Sequence, residues 1–214
     1  MSDRTDRFAP SWLRPRGKGW TSGPAKRLFN NPWFAIDDYD AVAPTGVPSP
    51  YHVARFKNRA VGVVALFEDG TVALVGQWRF PFDAYFWEIP EGGVPMTEDP
   101  LHGAQRELRE EAGLIGADWR EILNLTPSNA STDETCVCYL ATGLTRTAVE
   151  PDPTEALTLE RVPFMQALAA ACSGQIVDAM TVASLLRVHH MAITGELPDG
   201  LARAALGSVT PSAL

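Results

Sequence analysis

Residues 92–114 read GGVPMTEDPLHGAQRELREEAGL, and this stretch predicts both a local fold and a chemistry. It predicts a helix over residues 100–112, because Asp99 is a favourable N-cap and Pro100 suits the first helical position. Gly113 favours the left-handed conformation that commonly ends a helix. The apolar residues of this helix have helical spacing and are expected to face the core: Leu101, Ala104 and Leu108.

Acidic residues are concentrated on one part of the predicted helix. Glu107 stands three residues before Glu110 and four before Glu111, so the three side chains are neighbours. Like charges at these spacings destabilise a helix by about 0.2–0.5 kcal/mol per pair. A divalent cation reverses the sign of that interaction, and carboxylate oxygens are the ligands that Mg²⁺ and Mn²⁺ prefer. A solvated helix face rich in arginine and glutamate is the alternative for the helix taken alone.

The loop before the helix is expected to fold back onto it. Gly92 and Gly93 allow the backbone to bend closely. In that conformation Glu98 is expected to pair with Arg106, which points away from Glu107 on the helix surface. A backbone carbonyl near Glu91 would then face the same cation.

The spacing of these residues resembles the Nudix box, the Gly-x5-Glu-x7-Arg-Glu-apolar-x-Glu-Glu-x-Gly-apolar signature of the Nudix hydrolases. Every defining position is matched, by Gly92, Glu98, Arg106, Glu107, Leu108, Glu110, Glu111, Gly113 and Leu114. The resemblance implies an α+β chain with the Nudix fold, an α/β/α sandwich around a mixed β-sheet. It also implies hydrolysis of a nucleoside diphosphate linked to another moiety.

Roles for individual residues follow from the same resemblance. Mg²⁺, or Mn²⁺ in its place, is expected at four glutamates, of which Glu110 is also a catalytic candidate: Glu91, Glu107, Glu110 and Glu111. The positions expected to shape the loop and the helix are Gly92, Glu98, Arg106 and Gly113.

The flanking segments resemble the ADP-ribose and sugar-nucleotide pyrophosphatase branch of the family. The similar segments are residues 76–81, 86–93, 126–134 and 174–179. In this interpretation Arg79 contacts the diphosphate or a terminal phosphate, and Glu88 binds a ribose hydroxyl. Glu134 is a catalytic base or a further metal ligand. The alternatives are a salt bridge between Arg79 and Glu88, a structural Glu88, and an exposed loop carboxylate at Glu134.

The leading functional hypothesis is metal-dependent hydrolysis of a nucleoside diphosphate sugar, most readily ADP-ribose, to a nucleoside monophosphate and a sugar phosphate. One alternative is another substrate, such as GDP-mannose, NADH or a diadenosine polyphosphate. Another is a Nudix sensor that binds a nucleotide without chemistry. A sensor need not keep all three box glutamates, whereas this chain does.

The remainder of the chain suggests four segments. Residues 1–30 form a basic arm, with seven lysines and arginines against two aspartates, which is expected to be poorly ordered rather than to bind nucleic acid. Residues 31–58 hold two predicted strands, residues 59–195 form the Nudix catalytic domain, and residues 196–214 are a tail. Because relatives in this branch commonly pair through N-terminal strands, residues 31–58 are a candidate dimerisation element and we expect a homodimer.

Composition sets the remaining expectations. The chain of 214 residues is 45% hydrophobic and 21% charged, as is usual for a globular protein. No run approaches the roughly 20 apolar residues of a membrane span, and the first residues lack the apolar region of a secretory signal. Three cysteines, an odd number, suit a reducing compartment, so a cytoplasmic location without membrane association is expected.

Overall fold

The computed structural model describes residues 10–13, 15–149, 154 and 156–207. The chain divides into two compact units, Met1–Arg55 and Phe56–Leu214. The strands that begin in the first unit are β1 (Thr21–Ser22), β2 (Lys26–Asn30), β3 (Phe34–Tyr39), β4 (Ala41–Val42) and β5 (Tyr51–Phe56).

The second unit contains the remaining elements of the described chain. Its strands are β6 (Asn58–Ala65), β7 (Thr71–Arg79), β8 (Ala84–Glu88), β9 (Glu91–Pro95), β10 (Leu114–Ile115), β11 (Asp118–Leu125), β12 (Cys136–Thr142), β13 (Thr145–Arg146) and β14 (Thr158–Pro163). Its helices are α1 (Pro100–Ala112), α2 (Phe164–Cys172), α3 (Ala179–Ile193) and α4 (Asp199–Leu206).

A four-stranded mixed sheet in the order β11-β12-β6-β9 forms the centre of the second unit. Strands β12 and β6 pair in parallel, while β11 with β12 and β6 with β9 pair antiparallel. An antiparallel sheet in the order β14-β7-β8 accompanies it, and β10 pairs with β13. The mixed pairing matches the α+β class predicted from the sequence.

Strands β6 and β12 are buried on both faces of the central sheet. In β6, Val64 packs in one hydrophobic cluster, while Val61 and Val63 pack in a second cluster. In β12, Cys138 and Tyr139 likewise belong to different clusters. Because neither face meets water, these strands are almost continuously apolar instead of alternating. This packing produces the α/β/α sandwich.

Helix α1 covers one face of the sheet. Ala104 and Leu108 are fully buried, and Leu101 packs partly buried at the edge of the same cluster. The side chain of Asp99 accepts a hydrogen bond from Leu101 N, and Gly113 has a φ of 60° with its N–H bonded to Arg109 O. The predicted helix, its N-cap and its end are therefore all observed.

Helices α2, α3 and α4 cover the opposite face. They contribute a shared cluster of buried side chains that includes Phe164, Leu185, Met191 and Ala205. Asp178 is the N-cap of α3, and its carboxylate accepts a hydrogen bond from Thr181 N at 2.7 Å. The hydroxyl of Thr181 in turn accepts from Ile89 N at 3.0 Å, which joins the start of α3 to the segment between β8 and β9.

The first unit has a three-stranded sheet in the order β2-β3-β5. Asp37 is buried in β3 and pairs with Arg27 of β2, and its Oδ2 lies 3.6 Å from Nε of Arg55 in β5. The hydrogen bond from Arg27 lowers the pKa of Asp37. Ion pairs across the sheet therefore join all three strands.

Several elements differ from the sequence-based prediction. Strands β1 and β2 lie within the segment predicted as an arm, and α4 lies in the predicted tail. The two units divide after Arg55, whereas the sequence-based boundary is after Asn58. All five residues of β2 are exposed, so that strand has no buried face to create a pattern. The sequence predicts a loop directly before α1, whereas the structure has strand β9 there. The pairing of β9 with β6 overrides the low strand propensity of its glycines. None of the helices in the described part of the chain has the length and apolar character needed to cross a membrane.

Glu196 predicts a pH dependence of stability. Its carboxylate lies 2.8 Å from Arg120 of β11 and 2.7 Å from Arg187 of α3, and the hydrogen bond from Arg187 lowers the pKa of Glu196 to about 2. A lowered folded-state pKa stabilises the fold above the ordinary value of 4.5, and that stabilisation disappears as the pH falls towards 2. We expect Glu196→Gln to have a lower Tm at pH 7 and a shallower fall in Tm from pH 5 to 2, measured by circular dichroism.

The control for this experiment is Glu68→Gln, which changes an exposed glutamate. Its Tm should follow the wild-type pH profile in parallel. A Glu196→Gln profile parallel to wild type would contradict the role of the two arginines.

Candidate active site

Glu107 lies directly against the backbone of β9. A Cβ atom added at Gly92 would stand 2.3 Å from Cδ of Glu107 and 2.5 Å from each of its carboxylate oxygens. Gly92 is paired with Val61 in β6, so the sheet fixes its position. Glu107 is buried, and its carboxylate therefore occupies a cradle that only glycine leaves open.

Glu111 ties the same helix to the first residue of β9. Its Oε2 accepts a hydrogen bond from Glu91 N at 2.9 Å, and the residue is 4% exposed. A buried carboxylate loses hydration and needs polar partners in return. The structure therefore brings Glu107 and Glu111 to one edge of β9.

Arg106 interacts with two box glutamates rather than with Glu98. Its Nη1 lies 2.8 Å from Glu107 Oε1 and 3.0 Å from Glu110 Oε2, and its Nη2 donates to Gly93 O at 3.4 Å. Among the described residues Glu98 makes no ion pair with Arg106, so that predicted pair is wrong. Glu98 is held by its backbone N–H, which donates to Pro95 O at 2.9 Å. Arg106 still connects the loop to the helix, because it bonds to the Gly93 carbonyl.

Arg79 forms a forked ion pair with Glu88. Its Nε lies 2.9 Å from Glu88 Oε1 and its Nη2 lies 2.6 Å from Oε2, while Nη2 also donates to Glu91 Oε1 at 3.1 Å. Gln77 donates to Glu88 Oε2 at 3.2 Å. The structure thus contains the salt bridge that was the alternative interpretation of Arg79. Glu88 is 2% exposed, and both of its carboxylate oxygens accept hydrogen bonds from these donors.

The Glu91 side chain is buried in an acidic environment. Burial is the main cause that raises the pKa of Glu91 well above its ordinary value, followed by the negative charges of Asp178 and Glu88, while Arg79 acts in the opposite direction. One carboxylate oxygen, Oε2, is buried without a hydrogen-bond partner in the described structure. The second oxygen bonds to Arg79.

Asp178 is a site residue that sequence reasoning did not identify. Ligand atoms of Glu88, Glu91 and Asp178 all lie within 4.8 Å of one another. The hydrogen bond from Ile89 N to the Thr181 hydroxyl holds the start of α3 beside the segment between β8 and β9, and so places Asp178 near Glu88 and Glu91. The sequence does contain a signal for Asp178, because it lies within residues 174–179, which resemble the pyrophosphatase branch. The resemblance of that segment does not by itself indicate a function for Asp178.

Glu134 lies two residues before β12 and is half-buried. Burial raises the pKa of Glu134. The pKa of Cys136 is raised by its hydrogen bond with Cys138 and by burial, and then by the charges of Cys138, Glu134 and Glu91. The strand register is consistent with this, since Cys138 of β12 and Glu91 of β9 both pair with Gly62 of β6, and Glu134 lies just before β12.

The donor set fits a hard divalent cation. The acidic side chains at the edge of β9 offer only carboxylate oxygens, and Glu91 Oε2 is an orphaned buried acceptor. In the described part of the chain, three carboxylates gather within 4.8 Å at Glu88, Glu91 and Asp178, whereas Glu107 and Glu110 share the guanidinium of Arg106. Glu107 and Glu110 could bind a cation if the Arg106 guanidinium moved away from their carboxylates.

A polar groove of about 530 Å³ adjoins α1. It is lined by Glu98, His102, Gln105, Arg106, Arg109, Ile115, Gly116 and Trp119. Two guanidinium groups and an indole ring in one groove suit a ligand with phosphates and an aromatic base.

Comparisons with known proteins agree with the sequence resemblance. The family model of the NUDIX domain matches residues 56–180. An ADP-ribose pyrophosphatase of Mycobacterium tuberculosis is 35% identical over 133 residues, which cover 61% of this chain and 64% of that protein. An ADP-ribose pyrophosphatase of Bacillus subtilis is 31% identical over 150 residues, covering 68% of this chain and 80% of that protein.

A solved structure described as an ADP compounds hydrolase has a similar fold. The TM-score is 0.75 with 19% identity, and the match covers 86% of this chain and 100% of that one. This likeness confirms the predicted fold.

Proposed function

The chain belongs to the Nudix family, and on that premise we propose that it hydrolyses the diphosphate of a nucleoside diphosphate sugar, with ADP-ribose as the leading substrate. The observation that carries this proposal is the burial of the Glu107 and Glu111 carboxylates against β9, in a cradle left open by Gly92. The names of the two bacterial relatives support ADP-ribose as substrate.

We propose that Glu107, Glu110 and Glu111 hold Mg²⁺, or Mn²⁺ in its place. Such an ion neutralises the diphosphate and lowers the pKa of a bound water. Gly92 and the Glu91 N–H keep Glu107 and Glu111 in position. Arg106 lies between Glu107 and Glu110 and keeps these two carboxylates close together before the cation binds.

Arg79 and Glu134 serve the substrate in this proposal. The planar guanidinium of Arg79 can bind two phosphate oxygens at once, and its Nη1 is not used in the ion pairs with Glu88 and Glu91 described above. Glu134 accepts a proton from the attacking water, for which its raised pKa is an advantage near neutral pH. The water oxygen bonds to one phosphorus as the bridging oxygen leaves, giving AMP and ribose 5-phosphate.

The test is a substrate panel with purified protein. ADP-ribose, GDP-mannose, ADP-glucose, NADH and diadenosine polyphosphates are each incubated with Mg²⁺ and release of monophosphate is measured. We expect the highest kcat/KM for ADP-ribose, with turnover abolished by EDTA and restored by excess Mg²⁺. Failure to hydrolyse any diphosphate with Mg²⁺ or Mn²⁺, combined with binding of a nucleotide, would favour the non-catalytic sensor.

We also propose that the chain forms a homodimer through its N-terminal strands. Leu28 and Phe29 of β2 and the nearby Trp33 expose large apolar side chains, which is unusual for the surface of a monomer. Light scattering at micromolar concentration should give twice the mass of 23.2 kDa. Phe29→Asp is expected to lower that mass, whereas Ile193→Asp, at an exposed residue at the end of α3 and outside the N-terminal strands, should leave it unchanged. A monomeric wild-type mass would contradict the proposal.

The proposed location is the cytoplasm. Cys136, Cys138 and Cys172 are all free thiols, as a reducing compartment maintains them. Cell fractionation that recovers the protein outside the cytoplasm would contradict this location.

A further inference from the structure

The side chains of Glu88, Glu91 and Asp178 form an acidic cluster beside the box glutamates. The cluster joins three elements, because Glu88 ends β8, Glu91 begins β9 and Asp178 caps α3. Ligand atoms of the three residues lie within 4.8 Å of one another. Three carboxylates in this volume face one neighbouring cation, Arg79, which leaves an excess of negative charge.

The hydrogen bonds of the cluster account for most of its oxygens. Both oxygens of Glu88 accept from Arg79, Glu91 Oε1 accepts from the same guanidinium, and Asp178 Oδ2 accepts from Thr181 N. Glu91 Oε2 is different: it is buried and has no partner in the described structure. The Glu91 side chain is only 10% exposed, so bulk water does not compensate for the missing partner.

A buried carboxylate oxygen that has no hydrogen-bond partner, inside an acidic cluster, would be stabilised by a bound cation. Cation-bound oxygens lie about 2.0–2.6 Å from Mg²⁺ or Ca²⁺, so two ligands on opposite sides are about 4–5.2 Å apart. Ligand atoms that all lie within 4.8 Å of one another are compatible with that span. We propose that Glu88, Glu91 and Asp178 form a second site for a hard divalent cation.

The second site is separate from the box glutamates but adjoins them. Glu107 and Glu110 lie around Arg106, whereas Glu88 and Glu91 lie around Arg79. The two groups meet where Glu111 Oε2 accepts from Glu91 N. The side chain of Glu91 thus serves the second site while its backbone positions the box. The second site does not depend on the identity of the substrate.

Counting bound Mn²⁺ tests the second site. Metal-stripped protein is titrated with Mn²⁺, and the free ion is measured from its electron paramagnetic resonance signal. We expect Asp178→Asn to bind one Mn²⁺ fewer per chain than wild type. Asparagine is as good an N-cap as aspartate, so helix α3 should remain intact. Asp99→Asn makes the same change at the exposed N-cap of α1 and should bind as many ions as wild type.

Double variants separate the two sites. Glu91→Gln with Asp178→Asn should lose no more Mn²⁺ than Asp178→Asn alone, because both act on one site. Glu110→Gln with Asp178→Asn should lose one ion more than either single variant. Equal Mn²⁺ counts for wild type, Glu91→Gln and Asp178→Asn would overturn the second site. That result is independent of hydrolysis, since a wild-type protein without turnover can still bind the Asp178-dependent ion.

Discussion

Replacing Glu111 by glutamine is expected to lower kcat/KM for ADP-ribose by roughly 10²–10⁴-fold, because the cation that it helps to hold would supply several kcal/mol of charge stabilisation. Glu111 is buried at the edge of β9 and is one of the proposed ligands of the catalytic cation. The substitution removes its negative charge but keeps its shape. The measurement is AMP release from ADP-ribose at saturating Mg²⁺, with KM and kcat determined separately.

The fold of this variant should be retained. A glutamine carbonyl can still accept the hydrogen bond from Glu91 N, which Glu111 Oε2 accepts at 2.9 Å in the wild type. Circular dichroism should therefore show an unchanged spectrum. Glu121→Gln alters an exposed glutamate of β11 and should leave kcat/KM within about twofold, as expected for a surface change. A fully active Glu111→Gln enzyme would remove the metal role from α1.

Local signals made α1 the most predictable element of the fold. Asp99, Pro100 and Gly113 act within a few residues of the helix ends, and the helix covers Pro100–Ala112 as predicted. Strands β6 and β12 also carry a local signal, because they are nearly continuous apolar runs. Because these signals lie within short segments, they can be recognised without knowledge of tertiary contacts.

Elements that depend on distant partners were harder to predict. Strand β9 contains Gly92 and Gly93 and exists because it pairs with β6, which is about 30 residues away in the sequence. Strand β2 has no buried residue, and helix α4 buries only Ala205. Each of these elements is stabilised by a partner elsewhere in the chain, and its own sequence has only a weak periodicity of buried apolar residues.

The candidate site shows the same division. Glu107 and Glu111 followed from their spacing on one helix, whereas the partner of Arg106 depended on side-chain rotamers and was predicted incorrectly. Asp178 is 87 residues after Glu91 in the sequence and reaches it through the docking of α3. A gapped motif therefore identifies site residues that lie close together in the sequence. It misses site residues, such as Asp178, that only the tertiary fold brings near them.

Gly92→Ala is expected to reduce kcat/KM for ADP-ribose by about 100-fold, the effect of misplacing a catalytic group by about 1 Å. The new Cβ would lie 2.3 Å from Cδ of Glu107, so the carboxylate must leave its cradle. The clash involves the mobile end of a side chain rather than the backbone. The Tm should consequently change by only a few degrees, as for a stability change of about 1 kcal/mol.

Gly93→Ala is the matched control, one residue further along β9. Its added Cβ would lie 3.3 Å from Nδ2 of Asn58, a contact that a small side-chain shift relieves, and no carboxylate is displaced. We expect its kcat/KM to stay within about threefold of wild type, as for other tolerated changes outside the site. In a Glu107→Gln background, Gly92→Ala should cost little further activity, because the two changes remove the same interaction. Additive losses in that double variant would show that Gly92 acts through another group, and equal activity of Gly92→Ala and Gly93→Ala would refute the cradle itself.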